Sequence, residues 1–339
     1  MASLPLTRKL AFAAITTLVV FGGVELGLRS AGWPKPTGTF AHNEPFWITD
    51  PGLSSEAFPH NEERTTFPVS TDENGLRAPV HAVEKPPSAW RLLSMGCSTT
   101  FGWGVGDAEA YPAQLEAALR ARGHATAEVI NGGQPGYTSF QGLWLWDEVL
   151  KNYDPDVVLI GFIVQDSRKA AYTDKSQAVL QQDARFLKQN LLYRSRLYMG
   201  LRAGLGSIQL QAKERPDGGE EGQFRVPPAD YAENLRALVA KVQAAGATPV
   251  LLGYPLERSG YTAQHRLILQ AAAEQLGVPH LDLQPQMERA VSGQQLYFPN
   301  DRGHANAAGN ALIATWVADF IEAKGLTGAG AGTPGGGAP

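Results

Sequence analysis

The first long apolar run in the chain lies at its N-terminus. Leu10 to Val24 is uncharged, follows Arg8-Lys9, and is extended past Glu25 by Leu26-Gly27-Leu28. About 20 apolar residues span a bilayer core, so the segment is marginal in length. Basic residues before it, and no Ala-x-Ala site after it, predict an uncleaved signal anchor over residues 1–31. A cleaved secretory signal is the alternative. The preceding basic residues place the N-terminus in the cytoplasm and the rest of the chain across the membrane.

Residues 32–88 are rich in Pro, Asn, Asp, Glu and His, with short apolar runs such as Pro45-Phe-Trp-Ile48. They read as a stalk that becomes an irregular, partly β N-terminal extension packed on the next domain. After Pro86-Pro87 the pattern changes to apolar runs alternating with amphipathic ones. Strands are predicted at Trp90–Met95, Ala127–Ile130, Asp156–Phe162, Thr248–Tyr254 and Pro279–Leu283. Helices are predicted at Ala110–Arg122, Phe140–Asn152, Tyr231–Ala245, Ala263–Leu276 and Asn306–Ala323. This alternation over residues 89–324 predicts an α/β fold with a parallel sheet covered on both faces. In such a sheet the ligand crevice lies at the carboxyl ends of the strands.

Residues 167–228 interrupt the alternation. Ala178 to Leu210 reads as largely helical, and Lys213 to Gln223 is charged and Gly-rich. This helical insertion is placed either to cover the crevice as a lid or to be solvated decoration. Residues 325–339 form a Gly/Ala/Pro tail with no means of building a core, and disorder is expected there.

Composition narrows the partners. The 339 residues are 43% hydrophobic and 18% charged, with a net charge of −4. There is no dense Lys/Arg stripe, which argues against a nucleic-acid partner. Cys97 is the single cysteine, so no intramolecular disulfide can form. The chain shows no zinc-type Cys/His cluster and no Gly-rich phosphate loop, so neither metal nor organic cofactor is expected.

The chemistry sits at predicted strand ends. Gly96-Cys97-Ser98 follows the first core strand and runs into a helix start. There, free N–H groups and the helix dipole favour developing negative charge. Thr100 stands where the Gly-x-Ser-x-Gly elbow would have its second glycine, so the turn is of another kind. Asp301-Arg302-Gly303-His304 follows the fifth strand, and three residues of separation let a carboxylate orient an imidazole within one loop. A bland reading gives Asp301 to helix capping and His304 to the surface. His42, His60, His81, His124 and His265 lack a comparable local arrangement, and His280 with Asp282 reports one face of a strand. Gly136 follows the second strand and Gln165 the third, where a backbone N–H and a side-chain amide could face an oxyanion. Ser98, Asp301 and His304 would then act as nucleophile, orienting acid and base.

These blocks together resemble the SGNH/GDSL hydrolase family. Gly96-Cys97-Ser98 with Thr100 and Gly102 is similar to its first block, with Cys97 at the usual aspartate. Asn131 to Ser139 resembles the second block and Gly161-Phe-Ile-Val-Gln165-Asp166 the third, with Gln165 at the usual asparagine. Asp301-Arg-Gly-His304-Ala-Asn306 resembles the last. Thr71-Asp-Glu-Asn-Gly-Leu-Arg77 resembles the extension of membrane-anchored bacterial members. The resemblance covers roughly residues 89–323. It implies a flavodoxin-like three-layer α/β/α fold and a cofactor-free serine ester hydrolase. Ser98, Asp301 and His304 would be catalytic, and Ser98, Gly136 and Gln165 would form the oxyanion hole. The expected substrate is an acyl-ester small molecule or glycan, such as an O-acylated carbohydrate or lipid of the cell envelope. Two alternatives share the sequence: an O-acyltransferase using the same three residues, and a catalytically weak glycan-binding envelope module.

Overall fold

In the computed structural model the described residues are 5–33, 40–41, 46, 48–60, 65–179, 195–201, 222–301 and 303–328. The chain divides into two compact units, residues 1–47 with 176–219, and residues 48–175 with 220–339.

The first unit contains helix α1 (Leu6–Ser30), 25 residues with no charge between Lys9 and Glu25. Among the described residues it is the one helix long and apolar enough to cross a membrane, a property shared by signal anchors and signal peptides. Its lone carboxylate is occupied. Glu25 accepts hydrogen bonds from the Ser195 hydroxyl and from the backbone N–H groups of Arg196 and Leu197, each at 2.9 Å. A carboxylate thus satisfies the first N–H groups of the helical turn 196–201. The helical span expected over 178–210 is otherwise outside the described residues, as is the tail from 329 onward.

The second unit begins with a hairpin, β1 (Glu56–His60) antiparallel to β2 (Thr65–Val69), with Phe58 opposite Phe67. Five parallel strands follow: β3 (Trp90–Gly96), β4 (Ala127–Gly133), β5 (Val157–Gly161), β8 (Thr248–Gly253) and β9 (His280–Asp282). Between β5 and β8, a short antiparallel pair joins β6 (Lys169–Ala170) to β7 (Gln223–Phe224) and closes the base of the insertion. The sheet order is β9-β8-β5-β3-β4, which is the flavodoxin-like doubly wound arrangement. Every residue of β3 and β5 is buried, Arg91 and Ser94 of β3 included, as in strands covered on both faces.

The helices are α2 (Ser98–Phe101), α3 (Tyr111–Ala121), α4 (Ser139–Glu148), α5 (Pro228–Ala244), α6 (Ala263–Leu276), α7 (Gln284–Val291) and α8 (Ala307–Ala323). α3 packs on α8, while α4, α5 and α6 pack in a row. Leu92, Val129, Leu159 and Val250 from the sheet meet Leu119, Ile313 and Val317 from α3 and α8 in one core. Burying each such side chain contributes about 1.5–3 kcal/mol, so the central strands hold their loops on a rigid base.

Several elements differ from expectation. β4 runs on to Gly133, because Asn131, Gly132 and Gly133 keep pairing with Ser94, Met95 and Gly96. The helix expected over 140–152 stops at Val149 and continues as a 3-10 turn over Leu150–Tyr153, ended by Asp154 at φ +48°. α7 is short and was hidden by the loop-like composition after β9. Asn306, expected as the first residue of the closing helix, is its cap. Asn306 Oδ1 accepts the Gly309 N–H at 3.0 Å, a cap of about 1 kcal/mol placed two residues after His304.

Candidate active site

Strand β3 delivers Ser98 to the C-terminal edge of the sheet. Gly96 is needed for space: a Cβ there would stand 2.2 Å from Thr100 Oγ1. Cys97 then turns its side chain inward, 1% exposed, with Sγ 3.2 Å from Thr99 Oγ1. Ser98 begins α2, and its Oγ meets His304.

Ser98 Oγ lies 2.8 Å from His304 Nε2, and His304 Nδ1 lies 2.6 Å from Asp301 Oδ2. Hydroxyl, imidazole and carboxylate stand in a row. Asp301 Oδ1 accepts the Gly303 N–H at 3.2 Å, so both carboxylate oxygens are engaged. Burial alone would raise the Asp301 pKa. The hydrogen bond and charge of His304, with smaller help from His60 and the Gly303 N–H, outweigh it and hold the group at about 2. Asp301 is therefore a carboxylate at neutral pH, able to stabilise a protonated imidazole.

The loop carrying this pair is closed at its base. Tyr297 and Ala305 form an antiparallel bridge, and the Asn306 N–H donates to Leu296 O at 3.0 Å. Buried Asn310 adds a tie by accepting the Tyr111 N–H at 3.0 Å and donating to Ala305 O at 2.8 Å. The position of His304 is thus fixed relative to α3.

Gly136 and Gln165 follow β4 and β5, the two strands that flank β3. Gly136 has φ +79°, a left-handed backbone conformation that favours glycine. A residue the sequence did not single out joins them. Arg225 Nη1 donates to Gly136 O and to Gln165 Oε1, each at 2.9 Å. Its Nε and Nη2 are held by the two oxygens of Asp174 at 2.9 and 2.8 Å. A guanidinium only donates, so the Gln165 amide oxygen must face Arg225 and its NH₂ group must face away. Asp174 in turn accepts the Thr138 hydroxyl at 2.8 Å.

Asp166 next to Gln165 is fully buried. Its Oδ1 accepts the Ser139 N–H at 2.9 Å, and its Oδ2 has no hydrogen-bond partner among the described residues. Burial pushes its pKa up to about 6, against the opposing effects of the Ser139 bonds and the Arg225 charge.

The extension contributes from the other side. Arg77, 1% exposed, donates to the carbonyl oxygens of Phe101 at 2.8 Å and of Gly102 and Val105 at 2.6 Å. It also donates to Pro68 O at 3.0 Å and to Asp107 at 2.9 Å. It thereby fixes the chain leaving α2. His60 at the end of β1 places Nε2 3.2 Å from Asp301 Oδ2. In the sequence His60 lacks the local arrangement that Asp301 and His304 share after the closing strand. Its partner is 241 residues away, which local spacing could not show.

A serine–imidazole–carboxylate row thus stands at the strand ends of a doubly wound α/β/α sheet. The chain belongs to the GDSL-like lipase/acylhydrolase family, whose model matches residues 95–312. No curated protein matches the sequence. Among solved structures, it is similar to a lipase/acylhydrolase from Enterococcus faecalis at 17% identity and TM-score 0.47, over 69% of this chain and 96% of that one. It is similar to an acetyl xylan esterase from Geobacillus stearothermophilus at 18% identity and TM-score 0.46, over 69% and 96%. A third is the psychrotrophic esterase EstA from Pseudoalteromonas sp., at 20% identity and TM-score 0.46, over 69% and 97%.

Proposed function

We propose that the chain is a membrane-anchored serine ester hydrolase in which Ser98 is the nucleophile, His304 the general base and acid, and Asp301 the residue that orients His304. The observation that carries this reading is the row Ser98 Oγ–His304 Nε2–Asp301, with contacts of 2.8 and 2.6 Å. A serine hydroxyl is a poor nucleophile until a hydrogen-bonded base takes its proton. His304 Nε2 receives that proton as Ser98 Oγ bonds to the acyl carbon. The same proton passes to the leaving alkoxide as the ester C–O bond breaks, giving free alcohol and acyl-Ser98. Water then attacks the acyl carbon, its proton moves to His304, and the carboxylic acid departs as Ser98 recovers the proton.

The oxyanion of each tetrahedral intermediate is received by the N–H groups of Ser98 and Gly136 and the NH₂ of Gln165. Gln165 has one more methylene than the family's usual asparagine. Arg225 supports its role by holding the amide oxygen and the Gly136 carbonyl on one nitrogen, leaving the NH₂ turned away from the guanidinium. Such preorganised donors are worth more than mobile ones because they need no reorganisation at the moment of reaction.

Helix α1 serves as the anchor, with the catalytic unit outside the cytoplasm. Substrates there are O-acyl esters of envelope carbohydrate or lipid. Ser98→Ala in the full chain is expected to abolish hydrolysis of p-nitrophenyl acetate while leaving the thermal transition intact. Unchanged turnover in that variant sinks the assignment.

A further inference from the structure

We propose that His60 is a positioning residue for the acid–base row, holding the Asp301 carboxylate in place through its Nε2–H and setting the basicity of His304 through that carboxylate. The inference rests on the reading of Asp301 as the acid that orients His304.

His60 closes β1 on the same buried face as Phe58. It is 2% exposed, lies 4.5 Å from the Phe298 ring and meets the Phe67 ring edge-on at 6.4 Å. The space it shares with Phe298 exists because residue 104 is glycine. A Cβ there would stand 2.7 Å from Phe298 and 3.1 Å from His60 Nε2. Asp301 is the charged group that His60 touches, and His304 is the next titratable group along the same row.

The carboxylate can only accept, so His60 must carry its proton on Nε2. That leaves Nδ1, which is buried and has no hydrogen-bond partner among the described residues. An orphaned buried polar atom is costly, and a phenylalanine or leucine would fill the same apolar pocket without that cost. Packing alone therefore gives no reason for an imidazole at this position. The hydrogen bond to Asp301 does.

The geometry explains what the bond accomplishes. His304 Nδ1 at 2.6 Å and His60 Nε2 at 3.2 Å share the same oxygen, Oδ2, while Oδ1 takes the Gly303 N–H. Three donors on its two oxygens restrain the carboxylate from rotating. The second imidazole also withdraws part of the negative charge that His304 would otherwise feel. Without it, Asp301 would stabilise the His304 imidazolium more strongly but hold the ring less firmly.

The test compares His60→Leu with His60→Gln in the full detergent-solubilised chain, alongside Ser98→Ala. His60→Leu is expected to lower kcat/KM roughly tenfold, the size of one hydrogen bond to a charged group. It should also move the acid limb of the kcat/KM–pH profile to higher pH. His60→Gln, whose amide can reach the same oxygen, should recover most of both changes. Equal behaviour of the two variants, whether both impaired or both like the parent, overturns the proposal. Turnover that survives Ser98→Ala would instead strike the assignment of the row itself. A measurement on the unaltered protein covers variants that do not fold: ¹⁵N-histidine NMR should show His60 as the Nε2–H tautomer. An Nδ1–H tautomer would overturn the proposal whatever the activity.

Discussion

From Ser98, imidazole and carboxylate follow in contacts of 2.8 and 2.6 Å, whereas Gly136 and Gln165, which follow the strands flanking β3, are joined through the guanidinium of Arg225. The first side needs few parts because a short loop carries both His304 and Asp301. The second, proposed to supply oxyanion donors, comes from two separate strand ends tied together by one long cationic side chain. Each side also borrows a residue from outside the family's blocks: His60 from the hairpin β1–β2, and Arg225 from the chain just past β7. The comparison teaches that a compact motif is read from spacing, whereas a distributed one depends on a tether that spacing does not reveal.

The acid–base side should break most completely. Asp301→Asn keeps the shape of the side chain but offers an amide where His304 needs an acceptor. A loss of about 10⁴-fold in kcat is expected, as for removal of an orienting carboxylate in serine hydrolases generally. Stopped assays across pH would check it, and a loss under tenfold would remove Asp301 from the mechanism.

The oxyanion side should fail more gently. Gln165→Ala is expected to lower kcat by ~10²–10³ with little change in KM, the effect of losing one donor to the transition state. Arg225→Met should lower kcat by less, because Gln165 remains but is no longer held. In the double variant the two losses should not add, since both act through one amide. Full additivity would separate Arg225 from the oxyanion donors and leave it a structural role alone.

The smallest effect concerns stability, and it has opposite signs on the two sides. Asp301 is held at about 2, below its usual 3.8, so its contribution is present above pH ~4 and lost as pH falls toward 2. Asp166 is raised to about 6, so between pH ~4 and 6 the folded chain keeps a proton that the unfolded chain has released. Stability from Asp166 therefore falls as pH rises through that window. Asp166→Asn, which can still accept the Ser139 N–H, should flatten the fall when denaturation midpoints are compared at pH 4 and pH 7. An unchanged slope would assign the pH dependence to other groups.

Most of the fold was legible. The runs Trp90–Met95 and Val157–Phe162 are mostly apolar, as strands covered on both faces tend to be, and the five-strand alternation led to the observed α/β/α sheet. Ser98, Asp301 and His304 were legible because each sits in a short block at a strand end. Arg225 was not. It lies between Phe224 and Val226, and its partners Gly136, Gln165 and Asp174 are 51–89 residues away. His60 left a faint trace, since it alternates with Phe58 on the buried face of β1. That signal marks burial and says nothing of Asp301. α7 was missed because polar residues and Pro285 obscure its eight residues, of which only Gln284 and Met287 are buried.

The central claim is that these two sides converge on one activated hydroxyl, and labelling tests it without knowledge of the substrate. The full chain treated with a fluorophosphonate and digested should yield a single phosphonylated peptide, modified at Ser98, with labelling lost in His304→Ala. Labelling that survives His304→Ala undiminished, or a modified residue other than Ser98, would contradict the account.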